Sequence, residues 1–155
     1  MFDDIQLSSI VVAMVRNVPV LIFAALGGLF AERSGVVDIS LEGKILASAF
    51  TAASVAYASQ NPWLGLLAAM AVSCLLALLH GLVCVQQQGN QLVSGMAINI
   101  AVSGLTFVLA QYFFQQGGRT PDLDGGRFAV INLPGAEAVA GVPVIGWFYA
   151  RLLSG

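Results

Sequence analysis

The chain has 155 residues, of which 58% are hydrophobic and 9% charged, and its mean hydropathy is +0.87. A soluble domain carries about 25% charged residues, so the composition excludes one and describes an integral membrane protein. The net charge of −2 is too small to point to nucleic acid or to an acidic ligand.

The first apolar segment runs from about Ile5 to Ala31 and is interrupted by Arg16, Asn17 and Pro19. The acidic start, Met1-Phe2-Asp3-Asp4, lacks the basic n-region of a signal peptide, so the segment is expected to be retained. A helix beginning near Val18 would place Pro19 in its first turn, where the missing N–H costs nothing. That helix would be only ~21 Å long, too short to cross. A longer helix from Ile5, kinked at Pro19 with Arg16 reaching a headgroup, is the expected form.

Next comes the stretch Glu32-Arg33-Ser34-Gly35-Val36-Val37-Asp38-Ile39-Ser40-Leu41-Glu42-Gly43-Lys44, after which no charge appears from Ile45 to Gly118. The second apolar segment, Ile45 to Tyr57, would give ~20 Å of helix against a ~30 Å hydrocarbon core. It spans only if its helix begins inside the charged stretch, giving an expected span of 36–58. Short apolar segments beside Gly-containing polar breaks mark solute paths in transporters. Gly35 and Gly43 allow bending and close approach, and Asp38 is placed to cap the second helix. Glu42 needs a partner other than Lys44, and Arg33 is the available one.

Ser59-Gln60-Asn61-Pro62 reads as a turn, with Asn61 as N-cap and Pro62 at the first helical position. The third span, 62–85, starts at the interfacial Trp63. Ser73, Ala77 and Gly81 form a small-residue face for a neighbouring helix, and His80 on the adjacent strip is expected to be hydrogen-bonded within the bundle. Cys74 and Cys84 would lie ~15 Å apart on one helix, too far for a disulfide.

Gln86 to Gln91 is a polar turn, and the fourth span covers 92–114. Gly95, Asn99, Ser103 and Thr106 fall on one helical face, which must meet protein or a water-filled path rather than lipid. Tyr112, Phe113 and Phe114 close the helix as an aromatic belt. From 115 to 141 glycine, proline and charge return, as expected of a water-exposed loop. Residues 142–155, with Pro143, Trp147, Phe148 and Tyr149, read as the start of a further membrane segment. The fold class is thus an all-α polytopic bundle of about four transmembrane helices, the second broken or re-entrant. Charge does not decide its orientation, because basic residues balance across the two sides.

Enzyme signatures are missing: there is no phosphate loop with its lysine, no metal-ligand cluster, no cofactor motif and no believable nucleophile pair. Asp38 and Glu42 are four residues apart and would share a helical face, but no second membrane carboxylate accompanies them.

The run Leu26-Gly27-Gly28-Leu29-Phe30-Ala31-Glu32-Arg33-Ser34-Gly35-Val36-Val37-Asp38-Ile39-Ser40-Leu41-Glu42-Gly43 resembles a signature of the membrane-spanning permease subunits of ATP-binding cassette (ABC) importers. The branch is the one that serves simple sugars and nucleosides and is related to the branched-chain amino-acid permeases. Asn90-Gln91-Leu92-Val93-Ser94-Gly95-Met96-Ala97-Ile98-Asn99 is similar to its second conserved stretch. The resemblance covers about Pro19 to Phe114 and corresponds to the N-terminal half of such a permease. It implies a multi-pass protein of the bacterial inner membrane with its N-terminus outside, so that the loop 115–141 is extracytoplasmic. It also implies ATP-binding subunits, a second permease subunit and an extracytoplasmic solute-binding protein as partners. Asp38 and Ser40 depart from the asparagine and glycine often found there.

On this reading Gly35, Asp38, Glu42 and Gly43 shape the break, and Asn99 and Ser103 line or brace the solute path. A self-contained channel or secondary transporter, with Asp38, Glu42 and His80 handling ions or protons, is the alternative. A purely structural membrane subunit is the third reading.

Overall fold

A computed structural model describes residues 2–115, Thr120 and Phe128. The rest of the expected loop over 115–141 and the segment over 142–155 lie outside the described residues. Four α-helices are present: α1 (Phe2–Arg33), α2 (Leu41–Ser59), α3 (Pro62–Gly81), which continues as a π-helical turn (Leu82–Gln86), and α4 (Gln91–Phe114). No strand occurs among the described residues.

Helix α1 runs unbroken through Pro19, and the Asn17 side-chain amide donates to the Ala13 carbonyl at 2.8 Å. Its N-terminal part, through Leu26, belongs to one compact unit, and Gly27–Phe128 form another. Within the second unit the helix stops at Gly35, whose φ of +84° lies in the left-handed region that glycine adopts without steric cost. Gly35 N–H bonds the Glu32 carbonyl at 3.0 Å and Val36 N–H the Ala31 carbonyl at 3.2 Å, the pair of bonds that defines a Schellman terminus.

Helices α2, α3 and α4 pack as an up–down–up set. Asn61 caps α3 by accepting from Trp63 N–H at 3.0 Å, with Pro62 in the first turn. Asn90 caps α4 by accepting from Leu92 and Val93 N–H. Both ends of α4 lie beside the corresponding ends of α2: Gly43 meets Asn99, while Tyr57 and Phe50 meet Phe114 edge-on at 5.6 and 6.4 Å. The two helices are therefore parallel, and α3 runs back antiparallel to them.

The apolar core is small, with Ala47 of α2 against Ile98 and Val102 of α4, and Val72 and Leu76 of α3 packed on it. Outside, Leu67, Met70, Leu75 and Leu78 of α3 and Ile100 of α4 are all more than half exposed, whereas Ser40, Lys44 and His80 are buried. In water each such exposed side chain would forgo about 1.5–3 kcal/mol of burial, so an apolar exterior around a polar interior is the arrangement a bilayer selects. Three helical stretches are long and apolar enough to cross: Ala13–Arg33, Pro62–Gln86 and Gln91–Phe114. Helix α2, at 19 residues and ~28 Å, has nearly the length but carries Glu42, Lys44, Ser48, Thr51 and Ser54.

The buried face of α3 is not the expected one. Gly65, Ala69, His80 and Cys84 are buried and Ala77 is exposed, so Ser73, Ala77 and Gly81 do not form the contact. Gly65 does: a Cβ there would stand 2.6 Å from the Ala52 carbonyl and 3.0 Å from Ala56 Cβ, while one at Gly81 would meet nothing within 4 Å. Gly65→Ala should therefore destabilise the α2–α3 hairpin by about 1–3 kcal/mol through overpacking. Gly81→Ala should be neutral or stabilising by up to ~1 kcal/mol through helix propensity. Thermal unfolding of the two purified variants in detergent checks the contrast, and equal midpoints would contradict this packing.

Candidate functional site

The segment from Val36 to Ser40, expected as the start of the second helix, is not helical. It descends beside α4. Val37 N–H donates to the Gln91 side chain at 2.7 Å, at the first residue of α4, and Gly43 N–H donates to Asn99 Oδ1 at 2.8 Å. Gln91 to Asn99 is two turns of helix, or ~12 Å, so α2 begins well inside the bundle.

Unpaired backbone in a bundle interior costs what a lost hydrogen bond costs. Side chains supply the partners here. Asn99 accepts from Gly43 N–H and donates from Nδ2 to the Ile39 carbonyl at 3.0 Å. Asp38 Oδ1 accepts from Ser40 N–H at 3.0 Å and also from the Ser40 hydroxyl. The Ser40 carbonyl accepts from Lys44 N–H at 3.0 Å. Gly43 and Gly95 permit the approach: a Cβ at Gly43 would lie 3.1 Å from Asn99 Cα, and one at Gly95 would lie 3.2 Å from Ser40 N.

A polar cluster closes over this junction. Lys44 makes an ion pair with Asp38 Oδ2; the lysine is buried and about nine-tenths of the aspartate side chain is covered. His80 Nε2 stands 3.8 Å from Asp38 Oδ1, and its Nδ1 is hydrogen-bonded to the Ser94 hydroxyl at 3.1 Å. Cys84 Sγ lies 3.5 Å from His80 Nε2. The π turn ends in a Gln87 N–H bond to the Leu82 carbonyl at 3.1 Å; such turns recur where a helix is locally re-aimed at a functional site. No group of three metal-type ligands occurs among the described residues.

Of the six residues singled out from sequence, Asp38, Gly43 and Asn99 come together at this junction. Gly35 terminates α1 instead. Glu42 is exposed, and among the described residues it has no ion pair with Arg33. Asp38 does not cap the free N–H groups of the first turn of α2, because its oxygens are occupied by Lys44 and Ser40; Asn99 provides that cap from another helix. Ser103 is exposed on an open cleft of about 410 Å³ between α2 and α4, together with Thr106. The polar stripe of α4 therefore faces α2 throughout, its upper half on the junction and its lower half on the cleft. Lys44, Gln91 and Ser94 were missed. The signal for Lys44 was its place as the last charge before a long uncharged run; for Gln91 and Ser94 it was their place in the Asn90–Asn99 run that resembles the family's second stretch.

A polytopic helical membrane protein whose second helix starts from an irregular segment inside the bundle is the class defined by this geometry. Residues 10–141 match the family described as "branched-chain amino acid transport system / permease component", and the chain belongs to that family. It is 38% identical to the guanosine ABC transporter permease protein NupQ of Bacillus subtilis, over 93% of this chain and 46% of that protein. It is 32% identical to the nucleoside ABC transporter permease protein NupC of Lactococcus lactis, over 81% of this chain and 40% of that one. Identity to the putative glucose ABC transporter permease protein TsgC13 of Haloferax volcanii is 33%, over 67% of this chain and 32% of the relative. The chain thus spans less than half the length of these curated relatives. No solved structure matches it.

Removing one member of a buried ion pair leaves the other uncompensated and costs about 3–5 kcal/mol. Lys44→Met and Asp38→Asn should each lower the unfolding midpoint of the detergent-purified protein sharply. The double variant should recover much of the loss, and strict additivity in this cycle would mean that the two charges are not coupled. Asn99→Leu orphans both Gly43 N–H and the Ile39 carbonyl at about 1–3 kcal/mol each. It should reduce the yield of folded protein, with Asn99→Asp, which keeps the acceptor, intermediate.

Proposed function

We propose that the chain forms part of the transmembrane path of an ABC importer for a small polar solute, a nucleoside or a sugar, as a permease subunit that performs no chemistry itself. ATP hydrolysis falls to separate ATP-binding subunits. A second permease subunit completes the path, and an extracytoplasmic solute-binding protein delivers the solute. The observation that carries this reading is the irregular segment Val36–Ser40, which is braced by Asn99, Gln91 and Asp38 inside a bundle that otherwise has an apolar exterior. Irregular backbone at membrane depth is tolerated where protein pairs it or where it lines a water-filled cavity, and broken helices of this kind recur at the solute path of transporters.

Within this proposal Asp38, Gly43 and Asn99 brace the break, Gly35 sets the exit of α1, and Ser103 faces the solute. The proposal takes the N-terminus as outside, which puts Glu42, exposed in the first turn of α2, toward the cytoplasm. A self-contained ion or proton carrier built on Asp38, Glu42 and His80 is less well supported, because Asp38 is paired with Lys44, His80 with Ser94, and Glu42 stands apart from both.

The test is uptake of tritiated guanosine and of labelled glucose by source cells with and without this chain. Loss of the chain should abolish the ATP-dependent component for at least one of the two solutes. Uptake of both that is unchanged by deletion, or uptake by the chain that persists after ATP depletion, overturns the proposal.

A further inference from the structure

Helices α2 and α4 share a groove that runs from the polar junction toward their C-terminal ends, and aromatic rings divide it. The nearer part is the cleft of about 410 Å³, lined by Leu46 and Phe50 of α2, by Ser103, Thr106 and Phe107 of α4, and by Thr120. The farther part, of about 540 Å³, is lined by Ser54 and Tyr57 of α2 and by Phe113 and Phe114 of α4. Phe50 and Tyr57 are two helical turns apart on one face of α2. The Phe114 ring meets both edge-on, with centroids 6.4 and 5.6 Å away. Phe50 borders the first chamber and Phe114 the second, so their contact is the wall between the two. Among the described residues, no charged side chain lines either chamber.

Ser54 stands on the same strip of α2, four residues after Phe50 and three before Tyr57. Among the described residues, its Oγ is the one buried side-chain polar atom without a hydrogen-bond partner. A helical serine can bond back to the carbonyl four residues earlier, as Ser59 does to Val55 at 2.6 Å; Ser54 does not. An unpaired buried hydroxyl costs stability, and such a cost is kept where function needs the group.

We infer that Phe50, Tyr57 and Phe114 form a gate across this groove, and that Ser54 is a solute-contacting hydroxyl covered while the gate is closed. The inference rests on the permease role proposed above. Edge contacts between aromatic rings are individually weak, so the rings can part by side-chain rotation. The Gly43–Asn99 contact, about four turns away along α4, stays intact as they do. Opening joins the two chambers and uncovers Ser54, whose hydroxyl can both donate and accept. Its partner is a hydroxyl, carbonyl or amino group of an uncharged solute, since a charge between these walls would lose its hydration without compensation.

The experiment uses the intact importer in source cells, with tritiated guanosine and labelled glucose as probes. Ser54→Ala should lower the chain-dependent uptake about tenfold, with the amount of chain in the membrane unchanged. The unfolding midpoint of the purified variant should equal or exceed that of the wild type, because an unpaired group has been removed. In a second measurement, Ser54→Cys is placed in a Cys74→Ser background, since Cys74 is exposed and Cys84 buried. Its reaction with N-ethylmaleimide should be slow in ATP-depleted cells. It should quicken at least fivefold when Phe114→Leu is added, and likewise when energised cells are given the transported solute. Wild-type uptake by Ser54→Ala, or a loss of uptake matched by a lower midpoint or less chain in the membrane, overturns the inference and leaves the permease reading standing. Labelling of Ser54→Cys that either treatment leaves unchanged does the same. Absence of chain-dependent uptake of both solutes overturns both readings.

Discussion

Every N–H and C=O that leaves a helix inside a membrane bundle needs a partner from the protein, because no bulk water is there to supply one. The path from Val36 to Ser40 is where this chain meets that demand. Asn99 answers for two backbone groups at once, Gln91 for a third and Asp38 for a fourth. The start of α2 is consequently defined by α4 rather than by its own sequence: Ser40, at the N-cap position, makes no side-chain capping bond, and the acceptor comes from a residue 56 positions further on. The local fold of the break and the packing of two helices are therefore one event.

The same logic explains the charges. A lysine with its head group inside a bundle is tolerated when a carboxylate sits against it and further hydrogen bonds satisfy both. Asp38 does this for Lys44 while also holding Ser40, so the pair ties the irregular segment to the first turn of α2. His80 and Ser94 extend the network to α3 and α4, and all three packed helices end in a single polar cluster that carries no net charge while the histidine is neutral. Hydrocarbon outside and polar groups within is the inverse of a soluble core, and the exposed leucines of α3 need no water-soluble partner to account for them.

Much of this was legible in the residues. Hydropathy and length marked the helices, the shortness of Ile45–Tyr57 showed that the second helix had to start near the charges, and the spacing of Gly95, Asn99, Ser103 and Thr106 identified the face of α4 that meets α2. What was not legible depends on contacts between distant segments. Two small-residue stripes compete on α3, and the choice of Gly65 over Gly81 is made by Ala52 and Ala56 on the opposing helix. Asp38 looked like a cap because of its position, but Lys44 claims one of its oxygens. The π turn has no composition of its own; it lets α3 end with Cys84 beside His80 before the chain turns into α4.

The glycine contacts also govern how these helices can shift. Where Gly43 of α2 meets Asn99 of α4, and where Gly65 of α3 meets Ala52 of α2, backbone lies against backbone. Such contacts behave as teeth in a gear. A slide of α2 by a fraction of a turn would drive the Cβ of a neighbouring residue into the opposing chain, because the residues flanking each glycine are larger. With one tooth engaged toward α4 and another toward α3, a displacement of α2 would be passed to both helices rather than absorbed between them.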